Sequence, residues 1–313
     1  MIKKYNIAIA GATGNVGRAI LTALDERSFP VNKIYALAST SSIGKEVSYG
    51  DNIIKIEALN GFNFKDIDIT FGATNSKIAE LYVQNAAKNS VVIDNSSLFR
   101  MDKNVPLIVP QANIKALKNY HQANIIANPN CCAIPLAVAL KPLDNAAKIK
   151  RVIISTYQSV SGAGKAAMDE LYANTKNKFI YQENEPNIFA KDIAFNILPL
   201  IGDLEENANS GEENKIIQET QKILGNHVAI SVTSVRVPVF VGHAMSVNVE
   251  FMSEMSAAEA TEILVEADNI DVISCESEFK YATPVDIVGT DDVFISRIRD
   301  DKSAQYAINF WLT

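Results

Sequence analysis

The sequence predicts an α/β fold whose first half forms a doubly wound, mostly parallel sheet. A length of 313 residues is enough for two domains of ordinary size, each with its own core. Throughout the first half, short apolar segments alternate with segments of helical period, which is typical of strands joined by helices. The first apolar segment also leads directly into a glycine-rich turn that opens a helix, the order found in nucleotide-binding folds.

The composition is that of a globular protein without a polyanionic partner. Hydrophobic residues make up 48% and charged residues 21%, and the net charge of −7 comes without a basic patch. This balance argues against binding to nucleic acid or to a membrane surface. The three cysteines form neither a disulfide framework nor a metal-ligand spacing. We expect neither a signal peptide nor a membrane-spanning segment, and therefore a reduced, cytoplasmic environment.

The first strand is predicted over Tyr5 to Ala10, and Gly11 to Gly17 follows as a loop before a helix that continues to Leu24. Glycines 11, 14 and 17 permit a tight turn, close approach of a pyrophosphate and close helix packing, which predicts dinucleotide binding. A purely structural glycine turn is the alternative.

The second strand is predicted over Val31 to Ala38 and leads into Ser39, Thr40, Ser41 and Ser42. An acidic residue at this place would contact the ribose hydroxyls of NAD and repel a 2′-phosphate. Hydroxyl and backbone N–H groups accept that phosphate, so this stretch favours NADP. An ordinary polar loop is the alternative.

Further α/β alternation is predicted, and its segments are Asp68 to Ala73, Ile78 to Ala87, Val91 to Asp94 and Leu107 to Val109. Arg100 follows the third of these at the sheet edge where such folds bind ligands, and it can reach an anion there. The alternative for Arg100 is a surface arginine in a weak salt bridge.

A strand, a tight turn and a helix start are predicted around Asn128-Pro129-Asn130-Cys131-Cys132, between an apolar run and the buried-helix pattern of Ala133 to Leu140. A thiol in the first turn of a helix lies in the field of unpaired N–H groups, which favours the thiolate. Cys131 is therefore the candidate nucleophile. Cys132 is expected to be a buried small apolar residue that points about 100° away from its neighbour.

A strand over Arg151 to Tyr157 leads into a small-residue loop that begins at Gln158 and passes through Ser161 and Gly162. The Gln158 amide offers one acceptor and two donors for orienting an acyl group, and a flexible connection is the alternative. Glu212 and Lys215 lie three residues apart on a predicted helix that continues to Leu224. They therefore share a face, either as a solvated ion pair or as a carboxylate and a cation for a substrate.

The segment from Val228 to Phe240 is predicted as a strand that carries Arg236 and ends before His243. The odd number of positions between these two residues would place them on opposite faces of a straight strand. Pro238 and Gly242 relieve this constraint, so we expect His243 just past a bend, facing Cys131. A cysteine and a histidine together supply a thiolate and a proton donor.

The ordered set of motifs resembles the aspartate-semialdehyde dehydrogenase family over nearly the whole chain. Each motif alone is modest, and the set is highly specific. The stretches that carry the resemblance are Gly11 to Gly17, Asp94 to Ser97 with Phe99-Arg100, Asn128 to Cys131, Tyr157 to Gly164, Arg236 to Val239 with Gly242-His243, and Gly289 with Asp292 to Phe294 and Arg297 to Arg299.

The resemblance implies NADPH-dependent reduction of L-aspartyl-4-phosphate to L-aspartate 4-semialdehyde and phosphate, on the route to lysine, methionine and threonine. It implies a Rossmann-like NADP-binding domain over residues 1–130 and an α/β (α+β) catalytic domain over 131–313 that forms a homodimer. The implied catalytic residues are Cys131 as thioester nucleophile, His243 as acid/base and Gln158 as the residue that orients the acyl group. The implied substrate contacts are Arg236 for the α-carboxylate, Glu212 for the ammonium, and Arg100, Lys215 and Asn130 for the phosphate. The implied cofactor contacts are Gly11, Thr13, Gly14, Asn15, Val16, Ser39, Ser41, Ser42, Ser161 and Gly162.

Three departures from the family pattern are visible in the sequence. Ser41 stands where many relatives have an arginine, and Ala244-Met245 follows His243 where Ser-Glu is common. The chain ends at Thr313, so we expect the family's C-terminal helix, which returns to the first domain, to be absent. Two alternatives stay open: an N-acetyl-glutamyl-phosphate reductase and a catalytically silent dinucleotide-binding dimer. A free ammonium needs Glu212 and an acetylated amine does not, which favours the aspartyl substrate.

Overall fold

The computed structural model describes residues 3–183 and 185–313 of the chain. The chain divides into two compact units. The first contains the residues up to Ile108 together with Ile114–Pro129, and the second contains Val109–Asn113 together with Asn130–Thr313. Within the described residues, no helix has both the length and the apolar character needed to cross a membrane.

The first unit is built on a seven-stranded sheet in which only the first strand of the order runs antiparallel to its neighbour. The strand order β3-β4-β2-β1-β5-β6-β7 reverses direction at β1, where the crevice of a doubly wound sheet lies. The predicted fold class is confirmed. The strands are β1 (Tyr5–Ala10), β2 (Val31–Ala38), β3 (Glu46–Tyr49), β4 (Asn52–Ala58), β5 (Ile69–Gly72), β6 (Val91–Asp94) and β7 (Ile125–Ala127).

Two longer helices, α1 (Asn15–Glu26) and α2 (Ser76–Ala86), connect strands of this sheet. The hairpin of β3 and β4 was not predicted, because charged residues interrupt the apolar pattern of its strands. The strand predicted at Leu107 to Val109 is reduced to one parallel bridge between Leu107 and Ala127. It ends there because Pro110 begins the short helix α3 (Pro110–Asn113).

The second unit contains a mixed six-stranded sheet of order β11-β12-β13-β10-β8-β9. Its central strands β8 and β10 are antiparallel, and β9 pairs with β8 in parallel on the outer side. The strands are β8 (Ile149–Gln158), β9 (Ala229–Arg236), β10 (His243–Phe251), β11 (Ile270–Ile273), β12 (Val293–Asp300) and β13 (Ala307–Leu312).

Four longer helices belong to this unit: α4 (Ala133–Ala146), α5 (Lys165–Phe179), α6 (Gly211–Leu224) and α7 (Ala257–Val265). Alanine and leucine dominate α4, and eight of its residues are buried, as expected of a helix with apolar residues on most sides. Helix α6 begins with a capping box in which the Ser210 side chain accepts from the Glu213 N–H and the Glu213 carboxylate accepts from the Ser210 N–H.

Candidate active site

Three of the predicted site residues lie side by side at one end of the second sheet. Gln158, the last residue of β8, pairs with His243 on β10 and with Arg236 on β9. Side chains of directly paired residues project from the same face of a sheet. The backbone register therefore brings an amide, an imidazole and a guanidinium together.

Arg236 and His243 are separated by more than the predicted bend, because they lie on two different strands. Strand β9 ends at Arg236, four residues earlier than predicted, because Pro238 cannot donate to a ladder. The chain then crosses to the other side of β8 before β10 begins at His243. Gly242 makes the final turn with φ +87°, and a Cβ on it would lie 2.4 Å from the Pro284 carbonyl oxygen.

Cys131 lies just before a helix rather than in its first turn. Helix α4 begins at Ala133 with Cys132 as its N-cap, which places Cys131 one residue outside the helix. Asn130 secures this turn, because its side-chain oxygen accepts from the Cys132 N–H at 2.8 Å. The Asn130 backbone N–H donates to the Glu219 carboxylate at 2.6 Å. Hydrogen bonds from side chains and backbone therefore fix the turn that carries Cys131 at the N-terminus of α4.

The Cys131 and Cys132 sulfur atoms and a ring nitrogen of His243 all lie within 4.8 Å of one another. Cys131 is exposed and Cys132 is buried, as predicted for the latter. The hydrogen bond that Cys132 donates holds the pKa of the Cys131 thiol well below its usual range, and His243 adds to this effect. The same hydrogen bond, with burial, raises the pKa of Cys132. Of the two thiols, Cys131 therefore has the lower pKa.

His243 is oriented by Ser159. The Ser159 backbone N–H donates to Nδ1 of His243 at 3.0 Å, and the Ser159 hydroxyl lies 3.1 Å from the same atom. A nitrogen that accepts an N–H hydrogen bond carries no proton, so the neutral ring has its proton on Nε2. This tautomer leaves an N–H group free to serve as a donor towards the thiolate.

Glu212 links the sheet to the cysteine turn. Its Oε1 atom accepts from the Gln158 side-chain amide at 3.0 Å and from the Asn130 side-chain amide at 2.9 Å. The Gln158 oxygen in turn accepts from the Thr156 hydroxyl at 3.0 Å. Lys215 lies on the same face of α6, with its Nζ 3.9 Å from Oε2 of Glu212. A buried carboxylate is thus fixed beside the thiol, with a half-exposed ammonium next to it.

Arg236 is a buried cation within this cluster. Its Nη1 donates to the Ser159 carbonyl oxygen at 2.7 Å. Burial lowers the pKa of the guanidinium, while the charge of Glu212 opposes that shift. Gly162 packs against Arg236 and His243, since a Cβ there would lie 3.1 Å from Nη1 of Arg236 and 3.4 Å from the His243 ring. Ser161, also in this loop, exchanges a hydrogen bond with the Ser159 hydroxyl at 2.9 Å.

The first unit contains a cavity of about 760 Å³ at the carboxyl ends of its central strands. Gly11, Thr13 and Ser39 line it, together with apolar side chains that include Leu81 and Tyr82. Gly11 has φ +88°, and a Cβ on it would lie 2.3 Å from the Ala73 carbonyl oxygen. Any larger residue at this position would therefore clash with the backbone of the neighbouring strand end. Backbone exposed at a helix start beside an apolar cleft fits a dinucleotide.

The other cofactor residues predicted in the first unit lie in or beside the same loops, but they do not line the cavity. Gly14 is the N-cap of α1, Asn15 is its first residue, and Val16 is 44% exposed. The Ser41 hydroxyl bonds to that of Ser39 at 2.9 Å, and Ser42 is buried.

Arg100 belongs to the first unit. It is buried rather than on the surface, and its Nη2 donates to the Asn95 carbonyl oxygen at 2.8 Å.

Sequence reasoning missed two residues that shape the second-unit cluster. Ser159 was passed over as part of a small-residue loop, and nothing in its type signalled contacts to both His243 and Arg236. Glu219 was detectable in principle, because it follows Glu212 by two helical turns and so shares its face. A buried carboxylate at that position requires donors, and the cysteine turn supplies one.

Two family models match the chain: the semialdehyde dehydrogenase NAD binding domain over residues 6–120 and the semialdehyde dehydrogenase dimerisation domain over residues 140–313. The aspartate-semialdehyde dehydrogenase of Rickettsia bellii is 57% identical over 314 residues, covering 100% of this chain and 93% of that protein. This chain belongs to the aspartate-semialdehyde dehydrogenase family.

Solved structures of the family agree. Aspartate semialdehyde dehydrogenase II from Vibrio cholerae is 39% identical with a TM-score of 0.96, covering 99% of this chain and 92% of that one. A complex of that enzyme with ASA is 38% identical, also with a TM-score of 0.96, covering 99% and 93%. The chain is thus an enzyme of the oxidoreductase class, with the two-part α/β architecture of its family.

Proposed function

We propose that the chain catalyses the NADPH-dependent reductive dephosphorylation of L-aspartyl-4-phosphate to L-aspartate 4-semialdehyde, in amino-acid biosynthesis. The observation that carries this proposal is the exposed Cys131 thiol beside His243, flanked by the buried pair Arg236 and Glu212. The V. cholerae relative in complex with ASA supports the choice of substrate.

Cys131 is the nucleophile. An acyl phosphate is already activated, so attack by a thiolate expels phosphate with little acid assistance. The thioester formed on Cys131 has a carbonyl oxygen that needs a hydrogen-bond donor when it is reduced. His243 Nε2–H is available for this purpose, and it is the proton source when the tetrahedral adduct collapses to aldehyde and thiol. Gln158, in register with His243, orients the acyl group.

Arg236 and Glu212 bind the α-carboxylate and the ammonium group of the substrate. A guanidinium forms a two-pronged contact with a carboxylate, which suits the α-carboxylate. The Glu212 carboxylate suits a free ammonium, and this pairing favours an aspartyl over an N-acetyl-glutamyl substrate. Arg100, Lys215 and Asn130 are assigned to the departing phosphate.

The first unit binds the nicotinamide dinucleotide, which supplies the hydride. Gly11, Thr13, Gly14, Asn15 and Val16 would hold its phosphates at the start of α1, and by the family resemblance Ser161 and Gly162 would contact the nicotinamide. Ser39, Ser41 and Ser42 would receive the 2′-phosphate with hydroxyl and backbone N–H groups, which favours NADP over NAD.

The second unit forms a homodimer, and the enzyme is cytoplasmic. Large apolar side chains are exposed on this unit, among them Phe179 at 72%, Tyr181 at 98% and Phe195 at 70%. Apolar groups of this size stay on a surface mainly where a partner covers them. The family model for residues 140–313 is a dimerisation domain.

The reverse reaction tests this function. The protein is mixed with phosphate, NADP and L-aspartate 4-semialdehyde, and NADPH is followed by its absorbance. Parallel reactions contain NAD, or N-acetylglutamate semialdehyde. We expect phosphate-dependent NADPH formation with the aspartyl aldehyde. Activity only with the acetylated aldehyde would assign the chain to the reductase alternative, and inactivity with every pair would contradict the proposal.

A further inference from the structure

The Cys132 thiol lies close to Cys131, although the proposed reaction uses only the Cys131 thiol as a nucleophile. A buried cysteine in a helix cap ordinarily fills space as a small apolar residue. Here its sulfur lies within 4.8 Å of the Cys131 sulfur, and its proximity is the main cause that holds the pKa of the Cys131 thiol below its usual range. An exposed thiol with a lowered pKa and a buried thiol with a raised pKa therefore lie next to each other at the start of α4.

An exposed thiolate is the form of cysteine that hydroperoxides attack. Oxidation of Cys131 gives a sulfenic acid, and further oxidation gives sulfinic acid, which is irreversible for most proteins. A sulfenic acid escapes that fate only if a second thiol reaches it first. The thiol placed for this reaction is that of Cys132, because its sulfur lies within 4.8 Å of the sulfur that would be oxidised.

We propose that Cys132 is the resolving thiol for Cys131, so that a hydroperoxide converts the pair into a reversible vicinal disulfide. In the first step the Cys131 thiolate attacks the peroxide; an S–O bond forms, the O–O bond breaks, and water or an alcohol leaves with a proton from solvent. In the second step the Cys132 sulfur attacks the sulfenic sulfur; the S–S bond forms, the S–O bond breaks, and water leaves with the thiol proton. The peroxide gains the two electrons that the two thiols lose.

The backbone makes this disulfide labile. Adjacent Cα atoms are about 3.8 Å apart, which is shorter than the usual disulfide span of about 4.4–6.8 Å. The resulting strain raises the reduction potential, so a cellular thiol reductant reopens the ring. The ring closes where the chain has not yet entered the helix, since Ala133 is the first helical residue. Loss of activity on closure rests on the proposed role of Cys131, whereas formation of the bond does not.

The test uses the full chain, freed of reductant and treated with hydrogen peroxide without substrate. Intact and peptide masses are recorded over time. We expect the wild type to lose two hydrogen atoms in the peptide that contains both cysteines, and to regain most of its activity with dithiothreitol. Cys132→Ser should instead gain one oxygen on Cys131, trapped by dimedone, and then two or three, without recovery. Cys132→Ala is the second variant, and Cys275→Ser is the control that should behave as the wild type.

The outcomes can be told apart because the experiment compares which oxidation product forms in each protein, and not how fast it forms. Accumulation of two or three oxygens on Cys131 of the wild type, as in Cys132→Ser, would overturn the proposal. So would a disulfide that contains Cys275 or joins two chains. These masses are readable even in a protein without dehydrogenase activity, so a failure of the proposed function would not be mistaken for a failure of this inference.

Discussion

The Ser159 backbone N–H donates to Nδ1 of His243 at 3.0 Å, and the Ser159 carbonyl oxygen accepts from Arg236 at 2.7 Å. One residue therefore positions both the proton donor and the candidate carboxylate receptor. Because the N–H group occupies Nδ1, the neutral imidazole presents Nε2–H to its neighbours. The direction of the His243 proton is thus set by backbone geometry.

Replacing Ser159 by alanine should lower kcat more than it raises KM. The backbone hydrogen bond remains, but the hydroxyl 3.1 Å from Nδ1, which helps the backbone N–H to hold the ring in place, is lost. A hydrogen bond between neutral groups is worth about 0.5–1.5 kcal/mol, so kcat should fall about two- to tenfold. Steady-state kinetics of the variant and of Ser161→Ala, the neighbouring-hydroxyl control, measure the effect. A raised KM with unchanged kcat would reassign Ser159 to substrate binding.

The reactivity of Cys131 should reach its plateau at a lower pH than that of an ordinary thiol. The Cys132 hydrogen bond and then His243 lower its pKa, so the thiolate persists on acidification until the lowered pKa is reached. Iodoacetamide labelling of Cys131 across pH measures the midpoint, which should lie below the usual value of about 8.5. Cys132→Ala removes the larger cause and should move the midpoint upward. An unchanged midpoint in that variant would contradict the assignment.

Replacing Arg236 by lysine should mainly impair the use of substrate. An ammonium cannot keep the bond to the Ser159 carbonyl and also make a two-pronged carboxylate contact. We expect KM for the aspartyl substrate to rise about tenfold or more, which corresponds to about 1.4 kcal/mol, with KM for NADP unchanged. Initial rates with each substrate varied in turn decide this. A change confined to KM for NADP would place Arg236 in the cofactor site.

Gly242→Ala should destabilise the protein more than Gly289→Ala does. Both glycines have positive φ, +87° and +85°, which costs a residue with a Cβ about 1–2 kcal/mol. The Cβ at Gly289 would meet open space, whereas that at Gly242 would lie 2.4 Å from the Pro284 carbonyl oxygen. The additional overpacking should cost about 1–3 kcal/mol in the free energy of unfolding, measured with urea. Equal losses in the two variants would show that the turn before His243 relaxes freely.

The parts of the molecule governed by local pattern were predictable from the sequence. The strand from Tyr5 to Ala10 has the predicted bounds, and so does that from Val31 to Ala38, because glycine or proline marks their ends. The helix after Cys132 was also visible in its apolar composition. The roles of the site residues stay predictions, although their grouping in the second unit matches the expected juxtaposition of Cys131 and His243.

What could not be predicted depends on which strands become neighbours. The sequence places Arg236 and His243 seven positions apart, and only the crossover around β8 brings both into register with Gln158. The proximity of the Cys131 and Cys132 sulfur atoms was missed for a related reason. The rule of about 100° per residue holds inside a helix, but Cys131 precedes the first helical residue and is free of it.

The most direct test of the central claim is to look for the acyl group on Cys131. The enzyme is mixed with L-aspartate 4-semialdehyde and NADP in phosphate-free buffer, quenched in acid and analysed by mass spectrometry, while NADPH formation is followed in parallel. The account predicts a burst of one NADPH per active site and an aspartyl group on the peptide that contains Cys131, released when phosphate is added. Steady turnover without an adduct, or turnover retained by Cys131→Ala, would contradict it.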